Sequence, residues 1–266
     1  MKKSIRRTLV HIYTVLKLFG IDPRAFIAAI RGLPFYFSDY SKIKKQKGSD
    51  SKFYFGRNFP ILFERFDEAG SMSGAYFHQD LLIAKRVFKN NPIKHIDIGS
   101  RTDGFVAHVA VFREIEIFDI RDQKSKVHNI VFKQADLMNL PTELINYCDS
   151  ISSLHAIEHF GLGRYGDPID YYGHEKAIAN ISKIVKSKGR FYFSAPIGPQ
   201  RIEFNAHRVF SLQYLIDLFE PEFVIDNFSY VNDKGDLFTN EQLTNEEIKS
   251  NFNCIYGCGI FELIKK

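Results

Sequence analysis

The 266-residue chain has no tryptophan, three methionines and only three cysteines. Cys148, Cys254 and Cys258 give no disulfide framework. Two of them sit in the apolar run "NCIYGCGIFELI", where buried free thiols are expected. That usage fits a reducing, cytoplasmic compartment. No internal repeat and no low-complexity block is visible. The N-terminal apolar stretch is too short and too polar to span a bilayer. It does not read as a signal peptide either: His11 and Lys17 interrupt it, and no small-residue cleavage site follows.

What the chain does have is apolar bulk. It is 45% hydrophobic and 15% aromatic with 26 phenylalanines, enough for a packed core and against global disorder. The net charge of +5 is uneven. Residues 1–50 hold 11 Lys/Arg against 3 Asp/Glu, whereas the other 216 residues hold 25 against 28. The basicity belongs to the N-terminal extension, and no nucleic-acid motif accompanies it, so a nucleic-acid partner is not indicated.

In "SIRRTLVHIYTVLKLFGID", Ile5, Leu9, Ile12, Leu16 and Phe19 follow at spacings of 4, 3, 4 and 3, one stripe of a helix. Lys2, Lys3, Arg6 and Arg7 stand at its start. Two readings stand: a helix packed on the domain or a partner, or one drawn through residues 1–20 to an anionic membrane surface. The Lys-rich "DYSKIKKQKGSDSK" (39–52) reads as a linker, dividing an extension (1–50) from an α/β domain (51–266). "AYFHQDLLIAKRVFKN" then reads as a helix.

From residue 93 short apolar runs alternate with helical segments. Strands are expected at 93–99, 114–120, 129–136, 149–154, 189–196, 223–231 and 253–264, and helices at 104–112, 174–187 and 211–219. Alternation of this kind implies a mostly parallel sheet covered on both faces, and two closing strands imply a terminal hairpin. Such sheets bind ligands at the carboxyl ends of their strands. The first strand ends in "HIDIGSRTDGF", a tight glycine turn whose N–H groups can face a ligand. The second ends in Asp119, placed to accept from ribose hydroxyls, and the third presents Asp136 at the same edge. The turn after the first strand lacks the G-x-G-x-x-G spelling of nicotinamide-binding domains.

The order Asp97-Ile98-Gly99, Asp119, Ala135-Asp136-Leu137, "LHAIEH" and "FYFSAPIG" resembles class I S-adenosylmethionine-dependent methyltransferases over residues 90–264. The string "LHAIEHFGLGRYGDPID", with "FNAHRVF" downstream, looks more narrowly like a methyltransferase-like family of unknown function found in bacterial surface-polysaccharide gene clusters. The resemblance implies a Rossmann-like methyltransferase fold, a mostly parallel seven-stranded sheet with an antiparallel last strand. It implies S-adenosylmethionine as cofactor and S-adenosylhomocysteine as product. Cofactor contacts would come from Asp97, Gly99, Ser100, Arg101, Gly104, Asp119, Ile120, Asp136, Leu137 and His155. The usual glycines two and four residues after Gly99 are Arg101 and Asp103 here, adding bulk and charge beside the methionine end.

His155-x-x-Glu158-His159 spells a zinc-hydrolase motif, but a strand ends just before it and Gly161 and Gly163 follow. At most one helical turn fits, so no metal is expected. At the end of a fourth strand, His159 is a natural base for deprotonating a hydroxyl acceptor, with Glu158 orienting it or binding the acceptor, and His207 emerges at the same edge. Arg164, Tyr165, Asp167, His174 and Arg208 are candidates for holding the acceptor, Arg164 through a phosphate or carboxylate. Loop anchoring is the competing role for each of these side chains. The function the resemblance implies is O-methylation of a sugar or glycolipid precursor, a carbohydrate or lipid-linked saccharide acceptor, in surface-polysaccharide biosynthesis. The alternative is a non-catalytic or differently catalytic methyltransferase-fold protein serving as a binding subunit in polysaccharide assembly.

Overall fold

A computed structural model describes residues 12–266, so Ile5, Leu9 and the basic cluster of residues 2–7 lie outside the described residues. The chain forms two compact units that divide between Ser71 and Met72. None of the described helices is long and apolar enough to cross a membrane.

The first unit is helical over 12–18 and again in α1 (Pro23–Lys47). Asp22 caps α1 by accepting from the N–H groups of Arg24 and Ala25, and Pro23 occupies the first helical position. The expected linker at 39–52 is therefore mostly helix: α1 runs through it to Lys47 and stops at Gly48. Lysine is a good helix former, and Lys44, Lys45 and Lys47 suit the negative end of the helix dipole.

The second unit begins with α2 (Ala75–Asn90), ended by Asn91 in the left-handed conformation. β1 (His95–Ile98), β2 (Ile115–Asp119), β3 (Ile130–Gln134), β4 (Cys148–Leu154) and β5 (Val185–Ile197) pair in parallel. A separate ribbon joins β6 (Arg201–Glu203) to β7 (His207–Val209). β8 (Phe223–Val231), β9 (Leu237–Phe238) and β10 (Gly257–Lys265) complete a sheet of order β3-β2-β1-β4-β5-β10-β8-β9, with β10 antiparallel to both neighbours. The seven principal strands are those expected, and β9 adds a two-residue edge.

Two expectations need correction. The helix expected over 174–187 is α4 (Gly173–Ile184), because the N–H groups of Asn146 and Tyr147 take the carbonyls of Lys183 and Ile184 and Val185 already pairs with Cys148. The closing strands are neighbours but form no tight hairpin: β9 and α6 (Asn245–Ser250) lie between them. Residues 255–256 turn aside because their N–H groups donate to Asp233.

Alternate side chains along β5 serve the two faces. Phe191 and Phe193 join α4 and α5 (Leu212–Phe219), while Tyr192 joins α2 and the α3 turn (Ala107–Ala110). Ring-to-ring contacts such as Phe193–Phe219 at 5.1 Å and Phe228–Phe261 at 4.8 Å absorb much of the phenylalanine. All three cysteines are buried thiols, and burial pushes Cys148 up to about 12. The packed layers leave the carboxyl ends of β1, β2, β3 and β4 together at one edge of the sheet.

Candidate functional site

The turn after β1 is held from below. Asp97 is fully buried; it accepts from Ser100 N and Oγ and from Ser152 Oγ. Burial pushes its carboxyl up to about 6, opposed by those hydrogen bonds. Ser100 Oγ also accepts from Leu154 N, which ties the turn to β4. Gly99 turns at φ +67°, where a Cβ would stand 3.1 Å from Ala156. Only glycine brings the backbone through this point without strain.

β2 delivers Asp119 to the same edge. Its two oxygens accept from Arg121 Nε and Nη2 at 2.9 and 2.7 Å, and Arg121 also lies 4.3 Å from the Tyr165 ring. After β3, Asp136 accepts from Met138 N and Asn139 Nδ2, fixing its own turn. These ends enclose a recess of about 550 Å³ with apolar walls from Ile98, Phe118, Leu137, Met138 and Phe160 and with Asp119, Asp136 and Ile120 at its margin. It opens into an outer cleft of about 1100 Å³ reached by Tyr76, Arg101, Arg121 and Arg164. Gly99, Asp119, His155, His159 and Tyr165 line both parts.

The opposite wall starts at His155, whose φ of +51° is strained for a side chain with a Cβ. Its Nδ1 lies 2.9 Å from Glu158 Oε1, and both side chains are buried. Burial opposes a charge on His155, but the Cys258 sulfur and the Glu158 carboxylate outweigh it and hold the imidazole well above its usual value. His155 Nε2 and Glu158 Oε2 have no hydrogen-bond partner. Residues Ile157–His159 form a single 3-10 turn, so His155 and His159 do not stand one α-helical turn apart.

His159 Nδ1 is 2.6 Å from Ala206 O. A carbonyl only accepts, so Nδ1 carries the hydrogen and Nε2 keeps a lone pair. Burial lowers the His159 pKa, which keeps the ring neutral at pH 7. Glu158 is nearer to His155 than to His159, at 2.9 against 3.8 Å, so it orients His155. His207, on β7, has its ring 6.3 Å from that of His159 and its Nε2 3.3 Å from Glu203.

The other expected contacts divide. Arg164 donates to Ala206 O at 3.0 Å beside His159 and packs 5.2 Å from the Tyr165 ring. Asp167 instead holds its own loop, accepting from the N–H groups of Gly161, Gly163 and Tyr165. His174 and Arg208 lie away from the cleft, in a separate groove of about 1020 Å³. There Arg208 holds the carbonyls of Phe160 and Tyr171, and His174 meets Tyr214 Oη at 2.7 Å. Burial and Arg208 push His174 down to about 4. Arg101 and Asp103 pair with each other at the exposed rim, with Arg101 5.0 Å from the Tyr76 ring. Gly104 packs on Asp80 and does not line the cleft.

Tyr76, Arg121 and Met138 were missed from sequence. Arg121 stands two residues beyond the strand-end acid and was readable there; Tyr76 arrives from α2, which no local pattern places at this edge. Gly161-Leu162-Gly163-Arg164-Tyr165-Gly166 does spell G-x-G-x-x-G, but it follows a 3-10 turn and opens no helix, so it is not a dinucleotide turn.

Strand order, the antiparallel β10 and the cleft at the strand ends define a Rossmann-like class I methyltransferase fold. Within it, a family model described as "Caenorhabditis protein of unknown function, DUF268" matches residues 103–255, and the chain belongs to that family. No curated protein matches the sequence. Among solved structures, the Burkholderia thailandensis 1,6-didemethyltoxoflavin-N1-methyltransferase with bound 1,6-didemethyltoxoflavin and S-adenosylhomocysteine is similar at TM-score 0.51 and 14% identity, over 92% of this chain and 91% of that one. The [4+2]-cyclase SpnF is similar at TM-score 0.50 and 13% identity, over 71% and 80%. These likenesses concern the fold.

Proposed function

We propose that the chain is an S-adenosylmethionine-dependent methyltransferase that methylates a hydroxyl of a saccharide acceptor in surface-polysaccharide biosynthesis. The carrying observation is the cleft itself: an apolar recess for a purine, a carboxylate at the end of β2 for ribose hydroxyls, and His159 on the facing wall. The residues fit the cofactor. Gly99 leaves room for close backbone approach, Asp119 is at the recess margin, and Arg101 and Asp103 satisfy each other at the rim.

When bound, S-adenosylmethionine supplies an electrophilic methyl group. His159 Nε2 takes the proton of the acceptor hydroxyl, and the neutral ring is ready for it at pH 7. The His155–Glu158 pair fixes the start of this wall. Arg164 has no carboxylate partner among the described residues, which suits an anionic group on the acceptor such as the phosphate of a lipid carrier.

Calorimetry with S-adenosylmethionine and S-adenosylhomocysteine tests the reading. Both are expected to bind, and Asp119→Ala should weaken them about tenfold or more through loss of charge-assisted hydrogen bonds. Failure of both ligands to bind folded protein would sink it. That result would favour a binding subunit or a different chemistry, a reading to which Arg101 and Asp103 in place of glycines and the existence of a cyclase on this fold lend support.

A further inference from the structure

Among its described residues, the first unit carries an apolar face that its own packing leaves uncovered. The inward side of α1 is marked by Gly32, where a Cβ would stand 1.8 Å from Leu62 O, so the backbone at Leu62 lies directly against it. On the far side, Phe26, Ile30, Leu33 and Phe37 follow at spacings of 4, 3 and 4, with Ile27 beside them. These five are 68, 51, 38, 63 and 58% exposed, in that order. Leu18, Phe19 and Ile21, just before the helix, are exposed as well. A surface helix normally turns its apolar stripe inward; here the stripe faces out.

The charges around the stripe say what covers it. Lys44 and Lys45 close its C-terminal end, whereas Arg24 and Arg31 lie over the Tyr13 and Phe66 rings of the first unit. The acids of α1 and its cap are spent elsewhere, Asp22 on the helix N-terminus and Asp39 on Lys42 and Arg65. A wholly apolar partner has no use for the cations. An anionic lipid surface uses both parts: rings and isoleucines enter the acyl boundary, and ammonium groups stay among the headgroups. The 25-residue helix is too polar to cross the bilayer, so it lies in the plane.

We propose that the Phe26–Phe37 face of α1 docks on anionic membrane lipid and holds the chain at a membrane surface. This rests on α1 alone and not on the reading of the cleft.

The test is co-sedimentation of the full chain with phosphatidylcholine vesicles with and without about 30 mol% phosphatidylserine. Binding to the anionic vesicles should exceed binding to the neutral ones by tenfold or more, on the order expected for several cations, and should fall with added salt. Lys44→Glu/Lys45→Glu should weaken it by about fivefold or more per lysine. Ile30→Asp, at a position exposed in the fold, should abolish it while circular dichroism stays unchanged. Full-length protein that stays in the supernatant with anionic vesicles overturns the proposal. So does binding indifferent to lipid charge and to Ile30→Asp, or a dimer that Ile30→Asp converts to monomer without any lipid binding.

Discussion

On the sheet side of the cleft, Asp97 is fully buried and fastens the β1 turn to β4 through Ser100 and Ser152. On the loop side, Asp167 is spent on three N–H groups of its own loop. One carboxylate ties together elements distant in sequence, the other closes a segment on itself. The first wall is thus part of the cooperative core. The second is a local turn carrying His159, the base of the proposed reaction.

The largest effect should come from the loop wall and spare the fold. His159→Gln is expected to lower turnover by about 10²–10⁴-fold, the range for losing a general base, with the melting temperature nearly unchanged. Burial lowers the His159 pKa, so activity should persist through neutral pH and fall only as the pH drops below the ordinary histidine value of 6.5. The variant should lose that acid limb. Retention of both rate and limb would remove His159 from the chemistry.

Asp97→Ala should do the reverse, costing stability of about 3 kcal/mol because buried donors lose their acceptor, as read by urea denaturation. The pH dependence follows from the raised carboxyl. A group near 6 in the fold and 3.8 when unfolded contributes most stability below pH 4 and loses it as the pH rises through 6. Asp97→Asn should remove that part of the slope.

Asp167→Ala should be milder and local. Amides of Gly161, Gly163 and Tyr165 should exchange several-fold faster, for a loss of about 1 kcal/mol, with global unfolding unmoved. Loss of global stability equal to that of Asp97→Ala would erase the distinction between the walls.

The same contrast explains what could be read in advance. Strand periodicity put Gly99, Asp119 and Asp136 at one edge, because side chains in a parallel sheet repeat every second residue and turns follow the strand ends. It could not show that Asp119 is taken by Arg121, that His155 sits at φ +51°, or that Glu158 turns to His155. Those depend on how a loop closes in three dimensions. The loop's composition favours binding over self-capping, and the structure shows both: Asp167 caps its own loop at the recess wall, while Arg164 and Tyr165 reach the outer cleft. His174 and Arg208 shared its chemistry but not its place. In the first unit the misreading was physical in another way. Lysine content there suggests a linker, but Asp22-Pro23 starts a helix and lysines favour its C-terminus.

The smallest predicted effect probes the place where the two walls touch. Tyr165, from the loop, lies between Arg121 of the sheet wall at 4.3 Å and Arg164 of its own loop at 5.2 Å. Tyr165→Leu removes both cation contacts and the edge contact to the His159 ring at 5.5 Å but leaves Arg121 fastened to Asp119 by two hydrogen bonds. The sheet wall should therefore stay in place, and only the closure of the loop over the recess should weaken. A cation–π contact at a partly exposed site contributes about 0.5–1 kcal/mol, so S-adenosylhomocysteine affinity should fall about two- to fivefold, with no change in melting temperature. A loss beyond tenfold would mean that the ring contacts the ligand directly, and the loop wall would then hold the cofactor as well as the base.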